Sequence, residues 1–502
     1  MLSASPPSFA DAVELTETTA REQVAVADFN GDGIGDVSDG RYVWLGRGDG
    51  SFGERLDTPR RIDAAAVVAA DFDGDGHADL AATTTYLAGG AGFRLAFMSG
   101  NGDGTFELTK QWTSLDLFKT PSATAYTLLD GDFNGDNHTD LLVLPLSTYR
   151  SDGLSLLIND GYGRFTIKKV AFETEVLYPQ HTDMAVGDVN EDGIDDVVIS
   201  PGNDGVLVAL GQADGDIDFT NAEVYARGYR EVSLGDVNGD GHLDLAAKTL
   251  DVVPGDEFLQ VAISLGRGDR TFDDPLVTEL PQPDVASEFT TTINGDYNGD
   301  GRDDLAIIGD QWLYILSSAG DGTFGDPRLK RTSVTTEDQL IAADMNADGM
   351  TDVVAYGRLI EEAQSLSVFL NTTAQVDAGP VMVGFDKIKP RATEKGKKAS
   401  FRVVREGNTD RRLKVELSFA GLAEYGRDYK LKARGKAKVR GTKVVIPAGK
   451  KAAKFQLVVR DDKRREIDES FQIAIQPTNA ISLPLDVPSL RALFAGRIKD
   501  ND

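Results

Sequence analysis

The chain has 502 residues, with 52 Lys and Arg against 81 Asp and Glu, for a formal net charge of −29. That acidity argues against a basic nucleic-acid-binding face, and no run of about 18 apolar residues exists to span a membrane. Apolar residues make up 41 %, enough for packed cores, and the absence of cysteine excludes disulfides, thiolate metal sites and a cysteine nucleophile.

The N-terminal stretch, residues 1–20, has neither the basic region nor the apolar run of a secretory leader. Within it, Ser8-Phe9-Ala10-Asp11 matches a phrase met later, Thr323-Phe324-Gly325-Asp326. From Asp28 a nine-residue phrase, D-x-[N/D]-x-D-G-x-x-D, occurs seven times. Position 1 is Asp28, Asp71, Asp132, Asp188, Asp236, Asp296 and Asp344. Position 3 is Asn30, Asp73, Asn134, Asn190, Asn238, Asn298 and Asn346. Position 5 is Asp32, Asp75, Asp136, Asp192, Asp240, Asp300 and Asp348. Position 9 is Asp36, Asp79, Asp140, Asp196, Asp244, Asp304 and Asp352. Position 6 is glycine except for Asn137 in the third copy.

Calcium chemistry accounts for this pattern. Ca²⁺ takes six to eight oxygen ligands at about 2.3–2.6 Å. Residues 1, 3 and 5 of a tight loop turn their side-chain oxygens inward, and Asp at position 9 closes the shell. Position 7 offers a backbone carbonyl and leaves its side chain unconstrained. That suits the mixture found there: Ile34, His77, His138, Ile194, His242, Arg302 and Met350. The sharp turn at position 6 favours Gly, with Asn as its best substitute. Asp-Asn-Gly clusters also form plain turns, but seven copies with Asp at positions 1, 5 and 9 throughout go beyond that need. Position 12 holds no glutamate, so these are not EF-hand loops.

Short apolar runs flank the loops, such as Val67-Val-Ala-Ala70 before and Val197-Val-Ile199 after, and read as buried strands. A second phrase follows most loops, as in Gly46-Arg-Gly-Asp-Gly-Ser-Phe52 and Gly100-Asn-Gly-Asp-Gly-Thr-Phe106, with a degraded copy from Gly211 to Phe219. Each unit thus reads as strand, calcium loop, strand, strand, glycine turn and Phe-led strand, the pattern of a β-propeller blade. Arg47-Gly48-Asp49 and Arg267-Gly268-Asp269 spell an adhesion tripeptide, but both fall inside the glycine turn. His77, His138 and His242 are expected to point outward from their loops. The seventh unit lacks its fourth strand, and residues 8–16 are expected to supply it.

To Pro380 there are 23 basic and 66 acidic residues; beyond it, 29 basic and 15 acidic. This reversal marks a domain boundary, with residues 374–380 as linker, ending in Gly379-Pro380. Alternation in Lys414-Val-Glu-Leu-Ser-Phe419 argues half-buried antiparallel strands beyond it.

Residues 1–373 resemble the FG-GAP/VCBS-type repeat propeller, the fold of the integrin α-subunit head. The resemblance implies an all-β, seven-bladed β-propeller with structural calcium in hairpin loops on one face and ligand binding on the other. Residues 381–502 resemble a Calx-β domain, an immunoglobulin-like sandwich. The matching residues include Val383-Gly-Phe385, Phe401-Arg-Val-Val-Arg405, Gly426-Arg-Asp-Tyr429 and Ile498-Lys-Asp-Asn-Asp502. In calcium-binding members the ligands lie at positions that look similar to Glu394, Asp428, Asp461, Asp462, Glu466, Asp500 and Asp502.

The leading expectation is a non-enzymatic, Ca²⁺-stabilised adhesion or recognition protein of the cell surface or exterior. Its partner is a surface protein or a glycan, with no nucleic acid and no transmembrane segment. The alternative is a carbohydrate-active propeller, either a lectin or a polysaccharide lyase or hydrolase. Trp44, Trp112 and Trp312 are its candidate aromatic platforms, although tryptophan in a blade more commonly belongs to the core. A third reading makes the chain part of a larger multidomain surface protein.

Overall fold

The computed structural model describes residues 6–15, 23–59, 64–84, 94–113, 117, 126–145, 154–170, 183–200, 205–225, 229–249, 258–281, 289–309, 312–332, 336–358 and 364–373 of one unit, and residues 381–389, 391–393, 398–406, 413–421, 429–434, 438–440, 443–446, 450–459, 469–475, 481–482 and 493–499 of another. The chain divides into two compact units, one built mainly from residues 5–374 and one from residues 375–502. Leu117 is the one described helical residue; the regular elements are strands. No described helix is long and apolar enough to cross a membrane.

Among the described residues, the first unit has seven four-stranded antiparallel sheets. Sheet 1 takes Ala25–Ala27, Asp36–Ser38, Tyr42–Gly46 and Phe52–Asp57 in sequence order. Sheets 2 to 6 repeat that order, beginning at Ala64, Tyr126, Asp183, Tyr229 and Phe289. In each sheet the nine-residue loop joins the first strand to the second. The second strand is the most enclosed: all five residues of Asp196–Ser200 are buried. Its β-branched run tolerates burial on both faces because neighbouring sheets cover both. The fourth strand is polar and half exposed, as in Phe52–Asp57 and Arg328–Arg331, which leaves little apolar edge for unwanted pairing.

Apolar cores lie between consecutive sheets. One cluster joins Phe29, Val43 and Ala25 of sheet 1 to Leu80, Ala82 and Met98 of sheet 2. Corresponding clusters link each later pair. The last joins Val354, Tyr356 and Val368 of sheet 7 to Val37 and Trp44 of sheet 1. Each sheet therefore packs against the one before and the one after.

Sheet 7 draws on both ends of the unit. Its first three strands are Thr336–Ala343, Asp352–Arg358 and Gln364–Phe369, and its fourth is Val13–Leu15. Val13 pairs with Val368 and Leu15 with Leu366. Upstream, Phe9 bridges to Asn371, and the Thr372 N–H donates to the Ser8 carbonyl at 2.6 Å. Phe9 is buried and meets Tyr297 edge to face, with ring centroids 5.8 Å apart.

Among the described residues, the second unit is a two-sheet sandwich. One sheet has five strands, with Ser400–Glu406 between Val381–Lys389 and Ala452–Val459; the other has six, with Glu469–Ile475 between Leu413–Gly421 and Leu493–Lys499. Phe385, Phe401 and Phe455 from one sheet share a core with Leu417, Phe471 and Ile473 from the other.

The sheet 7 pairing carries a stability prediction. Phe9→Ala removes a buried ring and is expected to cost about 3 kcal/mol, while deletion of residues 1–15 also removes the pairing with Gln364–Phe369. Thermal unfolding should show a lowered midpoint for both variants. An unchanged midpoint in the deletion would show that the N-terminal strand is not holding sheet 7.

Candidate metal centres

The nine-residue loops owe their shape to two left-handed residues each. Position 6 has φ between +69° at Asn137 and +100° at Gly241. Asn137 therefore stands in for glycine in backbone as well as in sequence. Position 4 is left-handed too: Gly in five loops, but Glu191 (φ 61°) and Ala347 (φ 59°) in the fourth and seventh. The first phrase treated position 4 as variable and missed this; the recurrent glycine there was the available signal.

These turns wrap backbone N–H groups around the position 1 carboxylate. Asp28 Oδ1 accepts from Gly31 at 2.7 Å and Asp32 at 3.1 Å, and its Oδ2 accepts from Gly33 at 2.8 Å. Asp132 does the same with Gly135, Asp136 and Asn137. Asn30 Oδ1 accepts from the Asp32 N–H, and Asp32 Oδ1 from the Ile34 N–H. Positions 1, 3 and 5 are thereby oriented by the loop itself, each oxygen with a lone pair left over.

Position 9 does more than face the loop. All seven of these aspartates are fully buried. One oxygen accepts from the N–H at loop position 2, as Asp36 does from Phe29 at 2.8 Å and Asp196 from Val189 at 3.0 Å. The other accepts from the residue ending or just following the third strand: Asp36 from Gly46 at 2.7 Å, Asp140 from Asn159 at 2.7 Å and Asp352 from Asn371 at 2.6 Å. The first of these oxygens, Oδ2, accepts from the N–H at position 3 in the second, fifth and sixth loops, at Asp73, Asn238 and Asn298. Sequence reasoning read position 9 only as a metal ligand; the structure adds a bridge between the loop and the third strand.

Burial pushes these carboxyls upward despite the N–H donors, to about 6 at Asp36 and Asp79, about 7 at Asp196, Asp244 and Asp352, and about 8 at Asp140, with neighbouring loop aspartates adding to the shift. In the second loop, oxygens of Asp71, Asp73 and Asp79 lie within 4.8 Å of one another. Carboxylates this close repel unless a cation sits among them. The donors are all oxygen, from carboxylates, an amide and a backbone carbonyl, which suits a hard divalent cation and fits Ca²⁺.

Position 7 side chains range from exposed at His77 to buried at Met350, and several lie against a turn glycine. A Cβ placed on Gly102 would lie 2.3 Å from the His77 ring, and Gly161 and Gly268 meet His138 and His242 in the same way. Gly320 lies against the Arg302 side chain. His77 is exposed and His138 and His242 are half-buried; each also lies over the glycine turn of its own sheet, and that glycine leaves room for it. His242 Nδ1 also lies 2.9 Å from Glu191 Oε1 of the preceding loop. In the adhesion-like tripeptides, Asp49 and Asp269 accept from the backbone N–H and hydroxyl of Ser51 and Thr271. These bonds hold both carboxyls below the usual range and commit them to their own turn. The degraded turn has Ile217, not Phe219, in the aromatic's place: Ile217 pairs with Gly211 as Phe52 pairs with Gly46.

Successive loops are tied together. Asp195, at position 8, accepts the Asp132 N–H at 2.8 Å and donates its own N–H to the Asp132 carbonyl; Asp303 and Asp236 repeat the exchange. Position 8 is otherwise Gly, Ala, Thr or Leu, so the sequence held no pattern for it. Trp44 and Trp112 are buried in the cores between sheets and cannot serve as binding platforms; Trp312 is half-buried. Glu394, Asp428, Asp461, Asp462, Glu466, Asp500 and Asp502 lie outside the described residues.

Two predictions follow from this chemistry. Asp196→Asn keeps one acceptor and loses the other, and should cost about 1–3 kcal/mol even in chelator. Asp192→Asn, at exposed position 5, should leave chelator-treated stability near wild type and reduce the gain on adding Ca²⁺; equal effects of the two in chelator would refute the bridging role. A carboxyl raised on folding adds stability below its unfolded value of about 4 and loses it as pH rises through the folded value. For position 9 that loss spans about pH 4–8, and Ca²⁺ favours the ionised form. The Ca²⁺-induced rise in melting temperature should therefore grow from about pH 5 to about pH 8, and a rise independent of pH would count against it.

Comparison with known proteins adds the following. The FG-GAP-like repeat family matches residues 35–82, 132–199, 188–247 and 296–355. No curated protein matches the chain. Among solved structures, the chain is similar to a lectin of Agrocybe aegerita that recognises non-reducing terminal N-acetylglucosamine, at 20 % identity and a TM-score of 0.47, over 62 % of this chain and 81 % of that one. It is similar to the BP39L lectin of Burkholderia pseudomallei at 15 % identity and a TM-score of 0.47, over 71 % of this chain and 97 % of that one. It is also similar to the apo form of the Calx CBD1 domain at 25 % identity and a TM-score of 0.19, over 24 % of this chain and 98 % of that domain. With its repeated four-stranded sheets and FG-GAP-like repeats, the first unit is a repeat β-propeller.

Proposed function

We propose that this chain is a non-enzymatic, Ca²⁺-stabilised recognition protein that works outside the cell or at its surface and binds a protein or glycan ligand. In this reading residues 1–373 form a seven-bladed propeller closed by residues 8–16, residues 374–380 are a linker, and residues 381–502 are a Calx-β domain. One observation carries the proposal. Seven loops repeat one oxygen-rich constellation between the first two strands of seven sheets, each anchored by a buried position 9 aspartate. Donors spent on structural cations hold a scaffold, and the Ca²⁺ affinity of extracellular modules, about 10⁻⁴–10⁻³ M, suits permanent occupancy there. Cation binding to the folded loops alone stabilises by mass action.

Chelation should lower the melting temperature of the first unit, and calorimetry should register several Ca²⁺ sites on re-addition. No detectable Ca²⁺ binding would sink the proposal. Screening the Ca²⁺-loaded chain against glycan and surface-protein arrays should return saturable ligands, and turnover of a bound polysaccharide would replace recognition by catalysis.

A further inference from the structure

The seam between sheets 6 and 7 departs from the other inter-sheet joints. Elsewhere, the residue two before the turn's Phe or Ile is left-handed: Gly50, Gly104, Gly163, Gly215, Arg270 and Gly322 all have φ between +69° and +87°. Each glycine presses into the preceding sheet. A Cβ on Gly104 would lie 2.9 Å from Leu45 and 3.1 Å from Leu56, one on Gly322 2.9 Å from Leu276, and one on Gly50 3.1 Å from Val13. Gly104, Gly163 and Arg270 also donate their N–H to the position 2 carbonyl of the preceding loop, at Phe29, Phe72 and Val189.

In sheet 7 the equivalent residue is Pro7, two before Phe9. Proline holds φ near about −65° and has no N–H, so it can neither take the left-handed turn nor donate. The carbonyl that it would have met, on Tyr297, keeps the bond from Asn371 Nδ2 at 2.8 Å, as Phe72 keeps the one from Asn159 Nδ2, but receives no turn N–H from Pro7. Four residues past the turn's Phe or Ile, sheets 1, 5 and 7 carry Leu56, Leu276 and Val13, sheets 2, 3 and 4 carry Lys110, Lys169 and Asn221, and sheet 6 carries Arg328, the one guanidinium in the set.

The result is a cavity of about 550 Å³ with Pro7, Ser8 and Phe9 on one side, Ile315 among its lining, and Asp326 to Lys330 on the other. Its volume falls in the range of small-ligand sites. Lys330 Nζ is held 3.1 Å from Asp11 Oδ1. Arg328 is exposed, and its side chain makes no ion pair or hydrogen bond among the described residues. Arg328, Asp326 and Ser8 thus line one space with the apolar Pro7, Pro327 and Leu329, within a unit that is otherwise strongly acidic.

We propose that this seam cavity binds a carboxylate-bearing sugar, a hexuronate unit. Arg328 takes the carboxylate, because a guanidinium matches a carboxylate with two parallel N–H bonds. Asp326 and Ser8 take ring hydroxyls, and Pro7, Pro327 and Leu329 cover the apolar ring face. The inference rests on the recognition reading above and deepens it to a ligand class.

The test titrates D-glucuronate into the full Ca²⁺-loaded chain, with methyl α-D-glucopyranoside and acetate as comparisons. Arg328→Leu restores the leucine found at Leu56 and Leu276, so the variant should keep its melting temperature. The expected result is saturable glucuronate binding, at least about tenfold weaker for either comparison, and weakened at least about tenfold in Arg328→Leu. The proposal is overturned if wild type does not bind glucuronate, if acetate or the neutral glycoside binds as tightly, or if Arg328→Leu binds as wild type does. Array ligands retained at full affinity by Arg328→Leu would overturn this site while leaving the recognition reading intact.

Discussion

The first unit depends on one contact made seven times: a buried aspartate receiving two backbone N–H groups from two different segments. Asp36, Asp140 and Asp352 each join the start of a loop to the end of the third strand of the same sheet. A carboxylate removed from water is costly, and two N–H donors offset only part of that cost, as the upward shift of these groups records. The remaining imbalance explains why the same nine residues present further oxygens nearby. A divalent cation would supply the opposite charge that two N–H groups do not. In the proposed reading, structural anchoring and metal binding are aspects of one loop.

The two repeated phrases form a single device. The position 7 side chain of the loop lies over a glycine of the turn in its own sheet, and another glycine of that turn presses into the preceding sheet. A turn N–H reaches the preceding loop at Phe29, Phe72 and Val189. Glycine is demanded twice, once for a left-handed backbone and once for close approach. Where the pattern lapses, between sheets 6 and 7, a cavity remains. Asp195 and Asp303, the aspartates at position 8, add direct clasps between loops.

Much of this was legible because local chemistry speaks through residue identity. Alternate Asp and Asn at positions 1, 3 and 5 announce an oxygen cage, and short apolar runs on both sides announce buried strands. Contacts between segments were not legible. The orientation of His77 depends on a glycine 25 residues away in the chain, and nothing about a histidine foretells it. The burial of Trp44 depends on Tyr356 and Val368 of the last sheet. Ile217 occupies an aromatic's place because strand register, not residue type, sets the pairing with Gly211.

By itself, the sequence determined the all-β character, the repeat and its loop chemistry, since each depends on residues a few positions apart whose spacing is covalently set. Only the tertiary structure decided what the position 9 aspartates bond, which way the position 7 side chains lie and where the regular joints fail. Those outcomes depend on which sheet lies next to which, and hydrogen bonds and van der Waals contacts act over a few ångströms regardless of distance along the chain. The opening acidity takes its meaning from that arrangement: the aspartates at the loops are backbone acceptors and clasps between sheets, and the ligands that we propose for Ca²⁺.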